Sequence, residues 1–546
     1  MSAKSQLARR RGLLPGREDY AGLRRSWRGD LLAGISVGVV ALPLALGFGV
    51  TSGAGAEAGL VTAIVAGLVA AIMGGSSVQV SGPTGAMVVV LAPILATQGA
   101  GALALVTVMA GVIVVAAGAA KLGRLVGLIP WPVIEGFTLG IAITIFLQQV
   151  PAAVGSTESA HGAKAFPAAV EAVAHIDWAV AWQTLALVAL VVAVMAIWPR
   201  ITRAVPGTII AIVVASFAVA MLGWTVPVIG ELPSGLPAPS FPEVTLESLG
   251  TLAGPAFAIA ALAAIESLLS ARVAHTQANV GGYDADRELV GQGLASIASG
   301  MFGGMPATGA IARTAVNVRS GARTRMAAIV HALVLLLVVL VAAAAVERVP
   351  LAALSGVLMV TAVTMVRPAL VRSVMRASRQ DALLFVLTAL ITVSVDLIYA
   401  IAIGVAVAAL FALRAVSRAA GVHREELPGA AQGGDERIAL LRIDGALFFG
   451  AADRVLERVA RIDGVEVVIL RMSQIRLLDT TGAQILGEVV TTLERRGITV
   501  LVKGVQPQHL RLLVHTGALG SLAHDDHLVA SLDDAVAKAR AVVAAG

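Results

Sequence analysis

The 546-residue sequence contains no cysteine, and only 4% of its residues are aromatic. The absence of cysteine excludes disulfides, thiolate metal sites and cysteine nucleophiles. Charged residues are also scarce, at 14%, whereas 58% of the residues are hydrophobic and the mean hydropathy is +0.88. Soluble globular chains carry about 25% charged residues, so this composition predicts a polytopic membrane protein.

The formal net charge of +6 does not indicate nucleic-acid binding, because the basic residues lie between the apolar segments and not along one face. The sequence shows no metal cluster, nucleophilic triad or phosphate-binding loop, so it predicts neither an enzyme nor a bound cofactor. The first apolar run is long and follows a basic segment, residues 1–28, which favours a first membrane span over a cleavable signal peptide.

Apolar segments of the kind that cross a bilayer run from residue 29 to residue 419. We count fourteen, at approximately 31–50, 57–75, 84–98, 101–120, 126–149, 179–198, 206–224, 254–272, 286–303, 309–318, 324–346, 351–366, 381–399 and 400–417. Basic residues concentrate in alternate loops, which the positive-inside rule assigns to the cytoplasm. Both termini are therefore expected to be cytoplasmic.

One motif occurs twice in the apolar region. Thr84-Gly85-Ala86-Met87 recurs as Thr308-Gly309-Ala310-Ile311, and each copy follows a stretch interrupted by glycine and proline. An odd number of spans in each half would invert one half relative to the other, so the pattern predicts a seven-plus-seven inverted repeat. Corresponding interrupted segments, one in each half, are the best sequence indication of a transporter's binding site.

The segments 84–98 and 309–318 are too short to cross a hydrocarbon core of about 30 Å. We predict that they are half-helices, each preceded by a short extended stretch, whose N-termini meet near the midplane. Helix N-termini present free N–H groups and a positive dipole end, which favours an anion. The alternative is that the glycines only permit close helix packing. The expected substrate-binding groups are Thr84, Gly85, Ala86, Thr308, Gly309 and Ala310.

Two charged residues lie within apolar segments. Arg313, one turn into the second half-helix, would add fixed positive charge behind the anion, or else form a structural salt bridge to the other half. Glu266 lies in mid-span, where a carboxylate is costly unless it is protonated, paired or bound to a cation. We therefore predict a coupling-ion site at Glu266 and Ser270, although Glu266 could simply pair with Arg313. His331 and Asp396 are more typical of packing or helix-capping groups.

The sequence becomes polar after residue 419. Residues 420–436 are predicted to form a linker, and alternating strand and helix patterns over 437–546 predict a small cytosolic α/β domain, with helices at 451–462 and 481–496. Asp479-Thr480-Thr481-Gly482 is typical of a helix N-cap. The alternative is regulatory phosphorylation of Thr481, because a phosphate is also favoured at a helix start.

Four motifs together resemble the SulP sulfate-permease family, solute carrier family 26, and the tail resembles the STAS domain of that family. The motifs are Ala41-Leu-Pro-Leu-Ala45, Val80-Ser-Gly-Pro-Thr-Gly-Ala-Met87, Glu266-Ser-Leu-Leu-Ser270, and the stretch from Phe302-Gly-Gly-Met-Pro-Ala-Thr-Gly309 through Asn317. The resemblance implies a fourteen-span inverted repeat in which core helices 1 to 4 and 8 to 11 carry the site beside gate helices 5 to 7 and 12 to 14. It also implies an elevator-like motion, and usually a homodimer, in a bacterial-type cell membrane.

The resemblance does not point to one substrate. Ala41-Leu-Pro-Leu and Ser52-Gly-Ala-Gly resemble the sodium-coupled bicarbonate members, whereas Glu266, Ile311 and Arg313 depart from them. Ile311 removes an oxygen ligand that Na⁺ would use, which favours H⁺. The sequence predicts a proton-coupled carrier of sulfate or bicarbonate, and next of small dicarboxylates. Alternatives are a sodium-coupled bicarbonate symporter, an anion exchanger, or a membrane-anchored signalling protein.

Overall fold

The structure is a computed structural model. It describes residues 12–13, 15–20, 22–124, 129–156, 165–202, 206–232, 235–277, 282–394, 397–419, 421–448, 459, 462–520, 522 and 524–545. The chain forms two compact units, Met1–Val405 and Ala406–Gly546, and each unit is considered by itself.

The first unit is almost entirely helical, as expected for apolar segments that must satisfy their backbone hydrogen bonds internally in lipid. The helices, of which the last continues into the second unit, are α1 (Leu23–Thr51), α2 (Gly55–Met73), α3 (Gly85–Gln98), α4 (Ala102–Ala119), α5 (Trp131–Ala153), α6 (Ala165–Ala174), α7 (Trp178–Ile201), α8 (Gly207–Leu222), α9 (Leu246–Gln277), α10 (Ala285–Met301), α11 (Ile311–Arg319), α12 (Arg325–Glu347), α13 (Leu351–Met365), α14 (Pro368–Ala377), α15 (Arg379–Ser394) and α16 (Leu397–Ala419). In the described part of the chain, nine helices are long and apolar enough to cross a membrane by length and composition. The count of fourteen spans stays a prediction.

Two of these helices are short because glycine and proline interrupt the chain before them. Helix α3 has 14 residues and α11 has 9, lengths of about 21 and 14 Å at about 1.5 Å per residue. Each follows a two-residue strand, β1 (Ser81–Gly82) or β2 (Thr308–Gly309), and the two strands pair antiparallel. The two interrupted segments therefore meet inside the unit, as the repeat predicts.

Helices from the two halves pack directly on one another, α4 against α10 and α1 against α12. Small residues make this possible. A Cβ added at Gly111 would lie 2.7 Å from the carbonyl oxygen of Gly293, and one at Gly300 would lie 2.9 Å from that of Ala104. In lipid, where apolar surface gains little from burial, such close backbone approach is a main source of helix association.

The helices of the first unit fall into two packed sets. We call α1–α4 with α9–α12 the core set, and α5, α7, α8, α13 and α15 the gate set. Within the gate set, α5 packs on α13 and α15, and α7 packs on α8 and α13. The two sets touch where α3 meets α5 and where α1 meets α13. This grouping follows the core and gate division that the family resemblance implies.

The N-terminal segment binds to the core set through charge. Asp19 lies in a 3₁₀ helix, Arg17–Tyr20, and its carboxylate accepts two hydrogen bonds of 2.8 Å from Arg287. The hydroxyl of Tyr20 donates to the carbonyl of Ile72 at 2.9 Å, close to the end of α2. The Asp19 carboxylate therefore compensates a buried arginine of the second half.

The second unit contains a five-stranded sheet. Its strands, in sheet order, are β3 (Gly421–Glu425), β4 (Ile438–Leu447), β5 (Val467–Leu478), β6 (Thr499–Lys503) and β7 (Leu528–Val529). Strand β3 runs antiparallel to β4, and the other pairs are parallel. Helices α17 (Thr480–Arg495) and α18 (Pro507–His515) contribute to the apolar cluster on one face, and α19 (Leu532–Ala545) contributes to that on the other. This is the predicted α/β architecture.

The second unit differs from the sequence prediction at its start. Residues 421–425, predicted to belong to the 420–436 linker, form the edge strand β3, in which Val422 is buried against the sheet. Five residues with two charged positions leave little pattern from which to predict a strand. Helix α17 matches the prediction for 481–496. The helix predicted at 451–462 lies almost entirely outside the described residues.

Candidate functional site

The candidate site lies where the two interrupted segments cross. Ser81 pairs with Gly309 and Gly82 with Thr308, so the antiparallel register brings Thr84 next to Thr308. Their hydroxyl oxygens are 3.3 Å apart, although the residues belong to different halves of the chain. Both half-helices begin at this point, α3 with Gly85 and α11 with Ile311.

The carboxylate of Glu266 occupies the point between the two half-helices. Its Oε2 accepts a hydrogen bond of 2.8 Å from Thr84 Oγ1 and one of 2.7 Å from Thr308 Oγ1. Glu266 reaches this point from the middle of α9, a helix of the core set. One carboxylate oxygen therefore joins the two threonines that stand before the half-helices.

The threonine hydroxyls leave the amides of the first half-helix free. Thr84 stands at the N-cap of α3, where threonine commonly accepts a hydrogen bond from an amide of the first turn. Here its side chain makes no such bond, since its hydroxyl donates to Glu266. The first hydrogen bond inside α3 joins Val88 N–H to the Thr84 carbonyl. The amides of Gly85, Ala86 and Met87 precede that bond and remain available to an anion.

The second half-helix presents different amides from those expected. The Gly309 amide donates to Ser267 Oγ at 3.1 Å, and the Ala310 amide donates to the carbonyl of Val80 at 2.9 Å. Both therefore hold the strand pair together and have partners already. The first bond inside α11 joins Thr314 N–H to the Ala310 carbonyl, so the free amides begin at Ile311, two residues later than Gly309.

Arg313 lies behind the strand pair. It is 2% exposed, and its Nη2 donates to the carbonyl of Pro83 at 2.5 Å, so it links the two halves through a backbone carbonyl. Glu266 and Arg313 form no ion pair within 4.0 Å in the described structure. The simple ion-pair alternative therefore does not describe their arrangement, because Glu266 is held by hydroxyls and Arg313 by a carbonyl.

Ser270 takes a different place from the one expected. Its hydroxyl lies 3.1 Å from Thr314 Oγ1, which in turn accepts from the amide of Val80. Within the described structure, Ser270 makes no hydrogen bond to Glu266. Ser267 instead supports the site by accepting from Gly309. The sequence favours Ser270, because it lies one turn after Glu266 on the same face of α9, whereas Ser267 follows Glu266 directly.

Further polar residues hold the extended stretch before α3, and the sequence did not single them out. Gln79 donates to the carbonyl of Ser267 at 3.3 Å, and Asn317 donates to that of Val78 at 2.8 Å. The polar face of α11, on which Arg313, Thr314 and Asn317 are all buried, was the available signal. A buried polar stripe on a short helix must have partners in the neighbouring backbone.

Apolar side chains close the site on the side of the gate set. Phe48 of α1 and Ile145 of α5 belong to the same buried cluster as Ala86 and Met87. A Cβ at Gly85 would lie 2.1 Å from Ile145 Cδ1 and 3.4 Å from Phe48 Cε1. Gly85 therefore lets the start of α3 approach the gate helix closely.

Outside the membrane unit, Asp479 accepts a 2.7 Å hydrogen bond from the Gly482 amide, as an N-cap does. Thr481 is partly buried at the start of α17, and its phosphorylation stays a prediction. Asp396 lies outside the described residues. Within the described residues, no group of three or more His, Asp or Glu side chains could hold a metal ion.

Comparison with known families gives a match over both units. Residues 27–388 match the sulfate permease family, and residues 433–535 match the STAS domain. "Putative sulfate transporter YvdB" of Bacillus subtilis is 36% identical over 507 residues, which cover 89% of this chain and 93% of the relative. "Bicarbonate transporter BicA" of Picosynechococcus is 30% identical over 520 residues, which cover 90% of each.

Solved structures show the same architecture. The transmembrane domain of a cyanobacterium bicarbonate transporter, BicA, superposes with a TM-score of 0.64 at 33% identity, covering 69% of this chain and 98% of that one. The murine Solute Carrier 26 family member A9 anion transporter, in the inward-facing state, superposes with a TM-score of 0.83 at 20% identity, covering 99% of this chain and 96% of that one. At 20% identity the second likeness supports the fold alone.

Proposed function

Because the chain belongs to the sulfate permease family, we propose that it is a secondary active transporter of small oxyanions, coupled to H⁺. Sulfate and bicarbonate are the first candidate substrates, since relatives that span most of the chain are named for these anions. Small dicarboxylates are the next candidates. They would present the same kind of anionic oxygen atoms to the ends of the two half-helices.

The observation that carries this proposal is the Glu266 carboxylate held between the hydroxyls of Thr84 and Thr308. The free amides of Gly85, Ala86 and Met87 lie next to these hydroxyls. A substrate anion at the half-helix ends would therefore approach a carboxylate. Two like charges a few ångströms apart repel strongly in a low-dielectric site.

Protonation of Glu266 would remove that repulsion. A neutral carboxyl group no longer competes as an anion for the two hydroxyls, and it can itself donate one hydrogen bond. Substrate and proton would then bind together and leave together, which is the behaviour of a symporter. Arg313, behind Pro83, would contribute positive charge to the anion without taking part in proton exchange.

A sodium-coupled bicarbonate symporter is the second candidate. The Glu266 carboxylate oxygen and the hydroxyl oxygens of Thr84 and Thr308 could together ligate Na⁺. Against it stands Ile311, which offers no side-chain oxygen at the start of α11. The two candidates predict different driving forces. Uptake by the proton-coupled carrier follows a pH gradient in sodium-free buffer, whereas the sodium-coupled carrier needs a Na⁺ gradient.

The test is uptake of labelled sulfate and bicarbonate by the full chain in proteoliposomes, with unlabelled anions, including fumarate, as competitors. Glu266→Gln should abolish pH-driven uptake while sulfate still binds, because glutamine keeps the shape but cannot be ionised. Glu247→Gln is the matched control, since Glu247 is exposed in the first turn of the same helix. Unchanged proton dependence in Glu266→Gln would rule out its role in coupling.

The competing class is a membrane-anchored signalling protein in which residues 420–546 are the active part. Proteoliposomes with and without these residues distinguish the classes. If no anion moves in either preparation, the transporter proposal fails.

We also propose that transport uses an elevator motion of the core set against the gate set. Thr51 of α1 and Gln149 of α5 are joined across these sets by a hydrogen bond of 3.2 Å. The chain has no cysteine, so Thr51→Cys with Gln149→Cys provides the only two thiols. A short reducible cross-linker should stop uptake, and reduction should restore it. Full uptake by the cross-linked protein would contradict the motion.

Two further features belong to this proposal. We expect both termini to face the cytoplasm of a bacterial-type cell, which labelling of single cysteines near either end would test. We also expect a homodimer, which native mass spectrometry of the detergent-solubilised protein would test. A monomer that transports at the full rate would exclude a functional need for the dimer.

A further inference from the structure

A buried histidine in the core set has no hydrogen-bond partner within the described structure. His331 lies on α12, its side chain is 0% exposed, and neither Nδ1 nor Nε2 makes a hydrogen bond. The function proposed above does not use this residue. An unpaired buried polar group lowers the stability of the folded state, so an imidazole with two unpaired nitrogens calls for an explanation.

Arg313 has an unpaired hydrogen-bond donor in the described structure. Its Nη2 donates to Pro83, but its Nη1 has no partner among the described residues, although the side chain is 2% exposed. Nη1 lies against Gly82, where an added Cβ would be 2.7 Å away from it. One donor of the guanidinium therefore lies beside Gly82 without a hydrogen-bond partner among the described residues.

Both unpaired groups lie near the extended stretch that contains Ser81 and Gly82. A Cβ at Gly67 would lie 3.8 Å from His331 Nδ1 and 3.3 Å from the carbonyl oxygen of Ser81. Ser81 is the neighbour of Gly82, and a Cβ at Gly82 would lie 2.7 Å from Arg313 Nη1. No side chain at Gly67 or Gly82 therefore stands beside the ring or the guanidinium.

The helix next to these groups is irregular. Residues Thr62–Ala66 of α2 form a π-helix that ends at Gly67, and Ala63 Cα would be 3.4 Å from a Cβ at Gly82. A π-helical turn inside an α-helix widens the helix, and such turns are frequent at functional sites. This turn therefore lies next to both glycines.

The two groups complement one another through a water molecule. A guanidinium nitrogen can only donate, and a neutral imidazole has one ring nitrogen that can only accept. A water that accepts from Arg313 and donates to His331 gives a partner to Arg313 Nη1 and to one ring nitrogen of His331, and the Ser81 carbonyl offers a further acceptor. Buried waters typically make about three such bonds.

We propose that an ordered water bridges Arg313 Nη1 to the His331 imidazole, which makes His331 a positioning residue for the arginine that supports the substrate anion. The inference rests on the proposed function. With one nitrogen held by Pro83 and the other by the bridged imidazole, the guanidinium plane is fixed on both sides. Without the bridge it is held at one point, and its positive charge no longer has one set position relative to the anion.

The test compares His331→Leu, which fills the space but bonds to nothing, with His331→Gln, which keeps an acceptor and a donor. Sulfate and bicarbonate binding to the purified full chain is measured by calorimetry, with thermal unfolding as a check on the fold. His331→Leu should weaken binding about tenfold, and His331→Gln should stay within about threefold of the unchanged protein. Equal affinity in all three proteins would overturn the proposal.

A double variant shows whether His331 acts through Arg313. In an Arg313→Gln background, His331→Leu should cause no further loss of affinity, because the bridged group is already absent. Additive losses would mean that His331 acts independently, which contradicts the proposal. A purely structural role would lower the unfolding temperature without this coupling.

A density map of the unchanged protein at about 2 Å or better tests the bridge directly. The expected result is one water at about 2.7–3.2 Å from both Arg313 Nη1 and a ring nitrogen of His331. A map at this resolution with no water between Arg313 and His331 would overturn the proposal. If the unchanged protein binds neither sulfate nor bicarbonate, the proposed function fails, while the map still decides whether the bridge exists.

Discussion

Replacing Gly85 by alanine separates two explanations for the glycine at the start of the first half-helix. The motif predicts that glycine lets the substrate approach the backbone. The structure adds that a Cβ at this position would lie 2.1 Å from Cδ1 and 2.9 Å from Cγ1 of Ile145, on the gate helix α5. The first explanation concerns the ligand, and the second concerns a contact between the core set and the gate set.

The size of the effect follows from the atoms involved. One extra methylene-sized group in a packed core costs about 1–3 kcal/mol. The end of an isoleucine side chain can rotate away, so we expect the lower part of this range. Alanine also gains up to about 1 kcal/mol over glycine in a helix, although less at its first position. A net cost of about 1 kcal/mol corresponds to roughly a fivefold change in the equilibrium population of the state in which α3 packs on α5, and we expect sulfate uptake to fall with it.

The assay is sulfate uptake by Gly85→Ala, Ile145→Val and the double variant, with thermal unfolding of each. Ile145→Val removes Cδ1, the atom nearest to the added Cβ, at a cost of about 0.5–1.5 kcal/mol by itself. If packing is the constraint, the double variant should transport faster than Gly85→Ala alone. The losses of the single variants should then be less than additive.

The packing explanation fails if Ile145→Val does not improve Gly85→Ala at all. A weaker apparent affinity for sulfate in both proteins, with normal unfolding temperatures, would favour the ligand explanation. No effect of Gly85→Ala on rate, affinity or unfolding would contradict both.

Two further predictions concern the core set and its N-terminal segment. Gly309→Ala should be more harmful than Gly85→Ala, because its Cβ would lie 3.1 Å from Ser267 Cα, which cannot rotate away; a normal unfolding temperature would contradict this. Asp19→Asn should lower stability at pH 7 by about 1–3 kcal/mol, since it leaves the buried Arg287 without its carboxylate. Burial alone would raise the pKa of Asp19, but its hydrogen bonds from Arg287 and Gly16 hold it below its usual value. This stabilisation is therefore present above the ordinary aspartate pKa of about 3.9 and is lost as pH falls through the lowered value, so unfolding midpoints of the two proteins should converge only below about pH 4.

The membrane architecture was largely predictable because it depends on local composition. Long apolar segments indicate helices wherever the bilayer requires internal hydrogen bonding. The repeated Thr-Gly-Ala motif identified the two short segments, and their antiparallel pairing brings Thr84 and Thr308 together. The count of fourteen spans stays a prediction, because composition alone does not separate helix ends from short helices.

The details of the site were less predictable, because they depend on which backbone groups find partners. Gly309 and Ala310 resemble free donors in the sequence, but the strand pair uses both amides. The spacing from Glu266 favours Ser270, but the packing of α9 places Ser267 against Gly309 and Ser270 against Thr314. In the second unit, β3 is a strand because β4 offers an open edge, and its five residues do not specify one.

The sequence by itself determined that this is a membrane protein with two related halves, two charged residues within apolar segments and an α/β tail. These properties follow from composition and repetition, so they can be predicted without knowledge of any long-range contact. The tertiary structure alone decided that Glu266 binds both threonines, that Arg313 binds Pro83, and that His331 lies beside the glycines. Hydrogen bonds between groups so far apart in the chain exist only once the halves have packed, and packing decides which donors remain for a ligand.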